Sequence, residues 1–99
     1  MDEKVVEVKY KDKNIKVYIG KISWLRAQKL IGDSTEIVDG QSRIRMDALR
    51  INLVKYAIKK IDGANVNVDK LLDEIDVEDG NKILKAVLEL NPLEQITAV

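Results

Sequence analysis

The sequence predicts an α+β fold: an N-terminal antiparallel β-hairpin packed against three to four α-helices. Three observations carry this. Two early runs, residues 5–10 and 14–19, alternate apolar and polar side chains with the period of two that a half-buried strand requires. From Asp47 onward, apolar residues recur at spacings of three and four, the period of an amphipathic helix. Gly20, Gly32, Asp62-Gly63 and Asn91-Pro92 punctuate these segments where chain direction has to change.

The 99 residues are expected to form one domain spanning 1–99, and with 45% hydrophobic content they can bury a small core. One Trp, three Tyr and no Phe mean that Ile, Leu and Val must build it.

The hairpin is predicted over residues 4–20. Val6, Val8 and Tyr10 share one face of its first strand, and Ile15, Val17 and Ile19 share one face of its second. Lys11, Asp12, Lys13 and Asn14 form a polar turn between them. A lone hairpin is marginal in water, so this one must pack on helices or pair with a further strand. A short helix over 23–31 follows, capped by Ser23, with Trp24, Leu25, Ala27 and Leu30 giving an apolar side and Gly32 a stop. Residues 32–46 read as a loop, in which Ile37-Val38 and residues 43–46 could form extra edge strands.

A long helix is predicted over 47–62, with Asp47 as its N-cap. Leu49, Ile51, Leu53, Val54, Ala57, Ile58 and Ile61 supply the apolar side, and Lys59 and Lys60 in the last turn oppose the negative end of the helix dipole. Asp62-Gly63 provides a left-handed exit. An acidic turn over 66–76 contains Val66, Val68, Leu71, Leu72 and Ile75, with Asp69 able to cap one helical turn through Glu74. The last helix covers 77–91. Asp76 caps it, Asp79 three residues on imitates a capping box, and Ile83, Leu84, Val87, Leu88 and Leu90 form its buried stripe. Asn91-Pro92 breaks that helix, and an apolar tail, 92–99, can dock behind it.

The chain has no His and no Cys. The usual near-neutral proton shuttle is missing, as are thiol nucleophiles, finger-type zinc sites and disulfides. No glycine pattern matches a phosphate loop. The carboxylates Asp69, Asp73, Glu74, Asp76, Glu78 and Asp79 are the one catalytic or cation-binding raw material in quantity, but they lack the ligand order of a calcium loop and the aromatic walls of a sugar site. They read as helix caps and a solvated acidic face. The expectation is therefore a protein without enzymatic activity, cofactor or metal. The charged N-terminus lacks a signal-peptide core, and no apolar run is long enough for a membrane span, which points to the cytoplasm.

Charge is balanced overall but segregated: residues 1–60 hold 14 Lys/Arg against 8 Asp/Glu, and residues 61–99 hold 3 against 9. This is either a solvated surface or a means of head-to-tail self-association, with Arg50, Lys59 and Lys60 of one copy meeting Asp73, Glu74 and Glu78 of the next. Arg43, Arg45, Arg50, Lys55, Lys59 and Lys60 offer a second possibility, a basic stripe over 43–60 for nucleic acid, although stacking aromatics are missing and net charge is zero. Trp24 is either a core filler or an interface anchor.

One stretch of sequence runs Asn14-Ile15-Lys16-Val17-Tyr18-Ile19-Gly20 into a helix bearing Trp24-Leu25. A basic helix closes on Ala57-Ile58-Lys59-Lys60-Ile61-Asp62-Gly63. Val66-Asn67-Val68-Asp69-Lys70-Leu71-Leu72 then leads to Asp79-Gly80-Asn81-Lys82-Ile83-Leu84 and Leu90-Asn91. From about residue 14 to 92 this order resembles the tail assembly chaperones of long-tailed bacteriophages and related prophage elements. The resemblance implies a non-enzymatic assembly factor of the host cytoplasm. Such a factor coats the helical tape-measure protein, recruits tail tube subunits, and is generally absent from the finished particle. This chain would be the short form where a frameshift yields a longer one. The family has no fixed catalytic residues.

A shield for an amphipathic helix needs an aliphatic groove. Val54, Ile58 and Ile61 on one helix with Leu84, Val87 and Leu88 on the other could build it, or could simply fill the core. Trp24 and Leu25 complete the partner-binding candidates, and homo-oligomerisation is expected. Two other functions fit the same residues: a small DNA-binding regulator using 43–60, and a small viral inhibitor of a host protein.

Overall fold

The computed structural model describes residues 2–97. Its α+β class and N-terminal hairpin are as predicted. The element order is β1 (Glu3–Tyr10), β2 (Lys13–Gly20), α1 (Trp24–Asp33), β3 (Thr35–Val38), β4 (Gln41–Ile44), α2 (Met46–Ala57), β5 (Ile58–Asp62), α3 (Val68–Glu74), α4 (Val77–Leu90) and α5 (Leu93–Thr97). Met1, Ala98 and Val99, at the ends of the predicted domain and tail, lie outside the described residues.

β1 and β2 pair antiparallel, from Glu3 opposite Gly20 to Tyr10 opposite Lys13. The two-residue turn puts Lys11 and Asp12 at φ 47° and 65°, the left-handed pair of a type I′ turn whose twist matches the strands. The buried face is the one the alternation predicts: Val8, Tyr10, Ile15, Val17 and Ile19 are buried and Val6 half-buried. Helix α4 packs on this face, α2 packs on α4, and α1 packs on α2.

The predicted helix 47–62 is corrected. Its helical part is Met46–Ala57, and residues 58–62 form β5, which pairs antiparallel with β2 to complete a sheet of order β1-β2-β5. Lys59 and Lys60 therefore sit on a strand, not in a last helical turn, and Gly63, at φ 105°, follows a strand rather than a helix. The physical reason lies in β2, whose far edge would otherwise leave its backbone groups without partners. Ile58 lies opposite Ile19, and Ile61 opposite Val17. A spacing of three on β5 thus matches a spacing of two on β2, and the register shift between Tyr18 and Ile19 takes up the extra residue. This bulge lets a helical spacing serve a strand. Asp47 is not the N-cap of α2; Arg45 occupies that position without a side-chain cap, and Asp47 lies in the first turn, accepting from Arg45 Nη2 at 2.8 Å.

Residues 32–46 are corrected from loop to hairpin. α1 runs past Gly32 to Asp33, and β3 and β4 pair from Thr35 opposite Ile44 to Val38 opposite Gln41. Asp39-Gly40 turns them at φ 54° and 79°, a dipeptide suited to a type I′ turn. At the hairpin's base, the 1%-exposed Ser34 is held on three sides: its N–H donates to Leu30 and Ile31 carbonyls, its carbonyl accepts from Arg45 N at 2.8 Å, and its Oγ accepts from Asn52 Nδ2 at 3.2 Å.

The acidic turn is a two-turn helix, α3, capped by Asn67 and not by Asp69; Asn67 Oδ1 accepts from Lys70 N at 2.8 Å. Asp76 caps α4 as predicted, accepting from Asp79 N at 2.8 Å. The return half of the capping box does not form, because the Asp79 carboxylate is turned to β1, where Oδ2 accepts from Lys9 N at 2.9 Å. At the other end of α4, buried Asn91 accepts from Ile22 N at 2.9 Å and donates to Gly20 and Val87 carbonyls, both at 3.1 Å. The tail adds α5, with Ile96 buried.

Candidate protein-binding groove

α2, α3 and α4 meet around an open groove of about 440 Å³. Ile51 and Val54 come from α2, Leu72 from α3, and Gly80 and Leu84 from α4; Asp47, Arg50, Asp69 and Asp73 stand on its rim. On α2, Leu49, Leu53 and Ala57 recur every four residues and point into the core. Val54 and Ile51 flank that stripe on the groove side, and Ile51 is 54% exposed. Val54 itself is buried, and Leu72, Gly80 and Leu84 are half-buried. The groove is apolar at its floor and charged at its edge, as a helix-binding cleft requires.

Of the residues proposed to line such a groove, Val54 and Leu84 do so. Leu88 is half-buried and lines, with Leu84, a shallow depression on the outer side of α4. Val87 is fully buried in the core, Ile58 is buried in β5, and Ile61 is half-buried on the same strand. Ile51, Leu72 and Gly80 line the groove in addition. The helical period gives a stripe on α2 and on α4 separately, but α3 is too short to show one, and only its packing brings Leu72 between them.

Trp24 and Leu25 are not core residues. They are 76% and 59% exposed on the first turn of α1, where the Ser23 Oγ accepts from Arg26 N at 3.2 Å.

The fold lays the basic and acidic halves of the chain against each other. Lys4 pairs with Glu89, Lys11 with Glu74 at 3.8 Å, and Lys55 with Asp69 at 3.1 Å. The Lys4 ammonium, hydrogen-bonded to Glu89, holds that carboxyl below its ordinary range. A hydrogen bond to the Glu74 carboxylate, burial and its charge raise the Tyr10 hydroxyl. Among the charge-association candidates, Arg50 and Asp73 lie on the rim of one groove. Lys60 reaches over the Tyr18 ring at 5.4 Å, and Glu78 is in the first turn of α4.

The basic segment 43–60 is spread over β4, α2 and β5 rather than along one helix. Arg43 pairs with Glu36 at 3.6 Å, and Arg45 with Asp47. Such exposed pairs contribute little to stability, but they neutralise charge that a phosphate backbone would need. Among the described residues, no group of three or more carboxylates is arranged to hold a metal ion, and no helix is long and apolar enough to cross a membrane. Comparison with protein families, with curated proteins and with solved structures finds no match to this chain.

Proposed function

We propose that this chain is a non-enzymatic, protein-binding assembly factor whose α2–α3–α4 groove receives an apolar segment of a partner, in the manner of the tail assembly chaperones that its sequence resembles. The observation that carries the reading is the groove: aliphatic at its base, open along its length and walled by helices. An amphipathic helix presenting side chains at i, i+3, i+4 and i+7 fits a cleft of this kind. The tape-measure protein of the resembled family is such a partner, and shielding it before the tail tube forms would place the protein in the host cytoplasm.

The test is co-expression with a tape-measure segment that is insoluble alone. The expected result is that the wild-type chain keeps the segment in solution and co-purifies with it, whereas Ile51→Glu with Leu84→Glu does not, provided the double variant retains its helical circular dichroism. A segment that stays insoluble with the wild type overturns the reading. So does equal rescue by the folded double variant, which would move the binding surface elsewhere.

A further inference from the structure

The solvent face of α1 begins with two exposed apolar side chains, the α2–α3–α4 groove has an apolar floor, and each carries one charged residue able to pair with the other, Lys29 and Asp73. Trp24, Leu25, Gln28, Lys29 and Gly32 are all exposed, at the spacings that place them on one side of a helix. Two large apolar side chains begin this face, a lysine follows Leu25 by one turn, and Gly32 has no neighbour within 4 Å of where a Cβ would stand. Lys29 is the charged residue of this face; Arg26 and Asp33 of the same helix are both turned to Tyr56. On the groove rim Asp47 and Asp69 are paired with Arg45 and Lys55, which leaves Asp73 as the acid there without a partner among the described residues. Lys29, Asp73 and Arg50 are exposed and make no ion pair among the described residues.

These two surfaces cannot meet within one chain. α2 faces α1 through Asn52, bonded to Ser34, and through Tyr56, whose ring lies 5.6 Å from the Arg26 guanidinium and whose hydroxyl donates to Asp33 at 3.1 Å. The groove residues Asp47, Arg50, Ile51 and Val54 lie on the opposite side of the same helix, at about 100° of rotation per residue. With α2 between them, the α1 face of one molecule can reach only the groove of another.

We propose that the exposed face of α1 docks into the α2–α3–α4 groove of a second copy, so that copies associate head to tail. Trp24 and Leu25 seat on Ile51, Leu72 and Leu84. Lys29 meets Asp73, and Arg50 stacks on Trp24, the Trp–Arg combination enriched at interface hot spots. The contact is heterologous: each copy uses a different surface from its neighbour, so assembly proceeds past a dimer unless a ring closes. The groove is the one proposed to receive the partner segment, so a second copy and a partner exclude each other from it; the self-association needs no partner protein to be tested.

The test uses two variants changed only at exposed positions: Trp24→Ala with Leu25→Ala, and Ile51→Glu with Asp73→Lys, each checked for fold by circular dichroism and followed by sedimentation. The expected results are a wild-type mass that rises past the dimer with concentration and falls with salt, and two variants that are each monomeric. An equimolar mixture of the variants should form a one-to-one dimer and nothing larger, because each retains one intact half. A wild type that stays monomeric, a variant that assembles like the wild type, or a mixture that stays monomeric overturns the proposal. The single variants Lys29→Glu and Asp73→Lys supply a second reading. Each should weaken association by roughly two- to fivefold, the range of an exposed ion pair, and mixing them should recover it. Unchanged association in both would remove the charge contact.

Discussion

The Oδ2 of Asp79 accepts a hydrogen bond from the backbone N–H of Lys9 at 2.9 Å, across 70 residues of sequence. Asp79 is 8% exposed and also lies 3.5 Å from Lys82. Pairing of Tyr10 with Lys13 across the two-residue turn directs the Lys9 N–H away from β2, to the open edge of the sheet. One side chain therefore joins the first turn of α4 to β1 and closes that edge to further strand pairing at this residue.

Replacing Asp79 by Ala should cost about 1–3 kcal/mol, the range for leaving a part-buried donor unsatisfied. Urea denaturation should show a lower midpoint with an unchanged slope, and amide exchange at Lys9 should accelerate more than at Val8. Asp79→Asn, which retains an acceptor oxygen, should lose less. Unaltered exchange at Lys9 in the Ala variant would refute the edge role.

Asn91 fastens the far end of the same helix. Its side chain serves Ile22 N, Gly20 O and Val87 O at once, from a site 5% exposed. Asn91→Leu keeps comparable bulk but removes the side-chain partner of the Gly20 carbonyl and the Ile22 N–H, while Val87 O keeps the backbone N–H of residue 91; a loss of about 2–4 kcal/mol is expected for such a network. Asn91→Asp should also destabilise, because a carboxylate accepts from Ile22 but cannot donate to either carbonyl. A thermal midpoint equal to wild type in both variants would contradict this.

The two hairpin turns differ in how well their residues suit the backbone. Asp12 holds φ 65° without being glycine, whereas Gly40 holds φ 79° as glycine. Asp12→Gly should stabilise by about 0.5–1 kcal/mol, and Gly40→Ala should destabilise by about 1 kcal/mol. Gly63→Ala should be worse than Gly40→Ala, since its φ is 105° and the new Cβ would stand 3.3 Å from Ile15 Cγ2. Equilibrium unfolding ranks the three variants; a Gly40→Ala costlier than Gly63→Ala would invert the argument.

The Lys4–Glu89 pair gives a pH dependence whose sign is fixed. Glu89 is held below its ordinary value by the Lys4 hydrogen bond and charge. Its contribution is therefore present above the unfolded value of about 4.3 and is lost as pH falls through the lower folded value. Lys4→Ala should be less stable than wild type at pH 7, and the two should converge in acid. An NMR titration should show the Glu89 pKa rising in the variant; no rise would dissolve the pairing.

The hairpin was legible because a period of two leaves Val8, Ile15, Val17 and Ile19 on a single face whatever lies above them. The start of α4 was legible because a cap is local: Asp76 reaches only three residues ahead. Asp39-Gly40, between two four-residue runs, is a hairpin-turn signal that the sequence carries even though residues 32–46 lack a strong strand pattern. The groove was half legible. Val54 and Leu84 follow from helical spacing, whereas Leu72 enters only because α3 packs between their helices.

By itself, the sequence determined the two N-terminal strands, their buried face, the aliphatic character of the core and the absence of histidine and cysteine chemistry. These depend on residue type and near-neighbour spacing alone. Tertiary structure decided that Ile58 and Ile61 belong to a strand and that Asp79 turns from its own helix to β1. In both cases the deciding partner is distant in sequence: the open edge of β2 and the free N–H of Lys9. A backbone group without a partner costs more than a local preference gains, and which groups lack partners is known only once the chain has folded on itself.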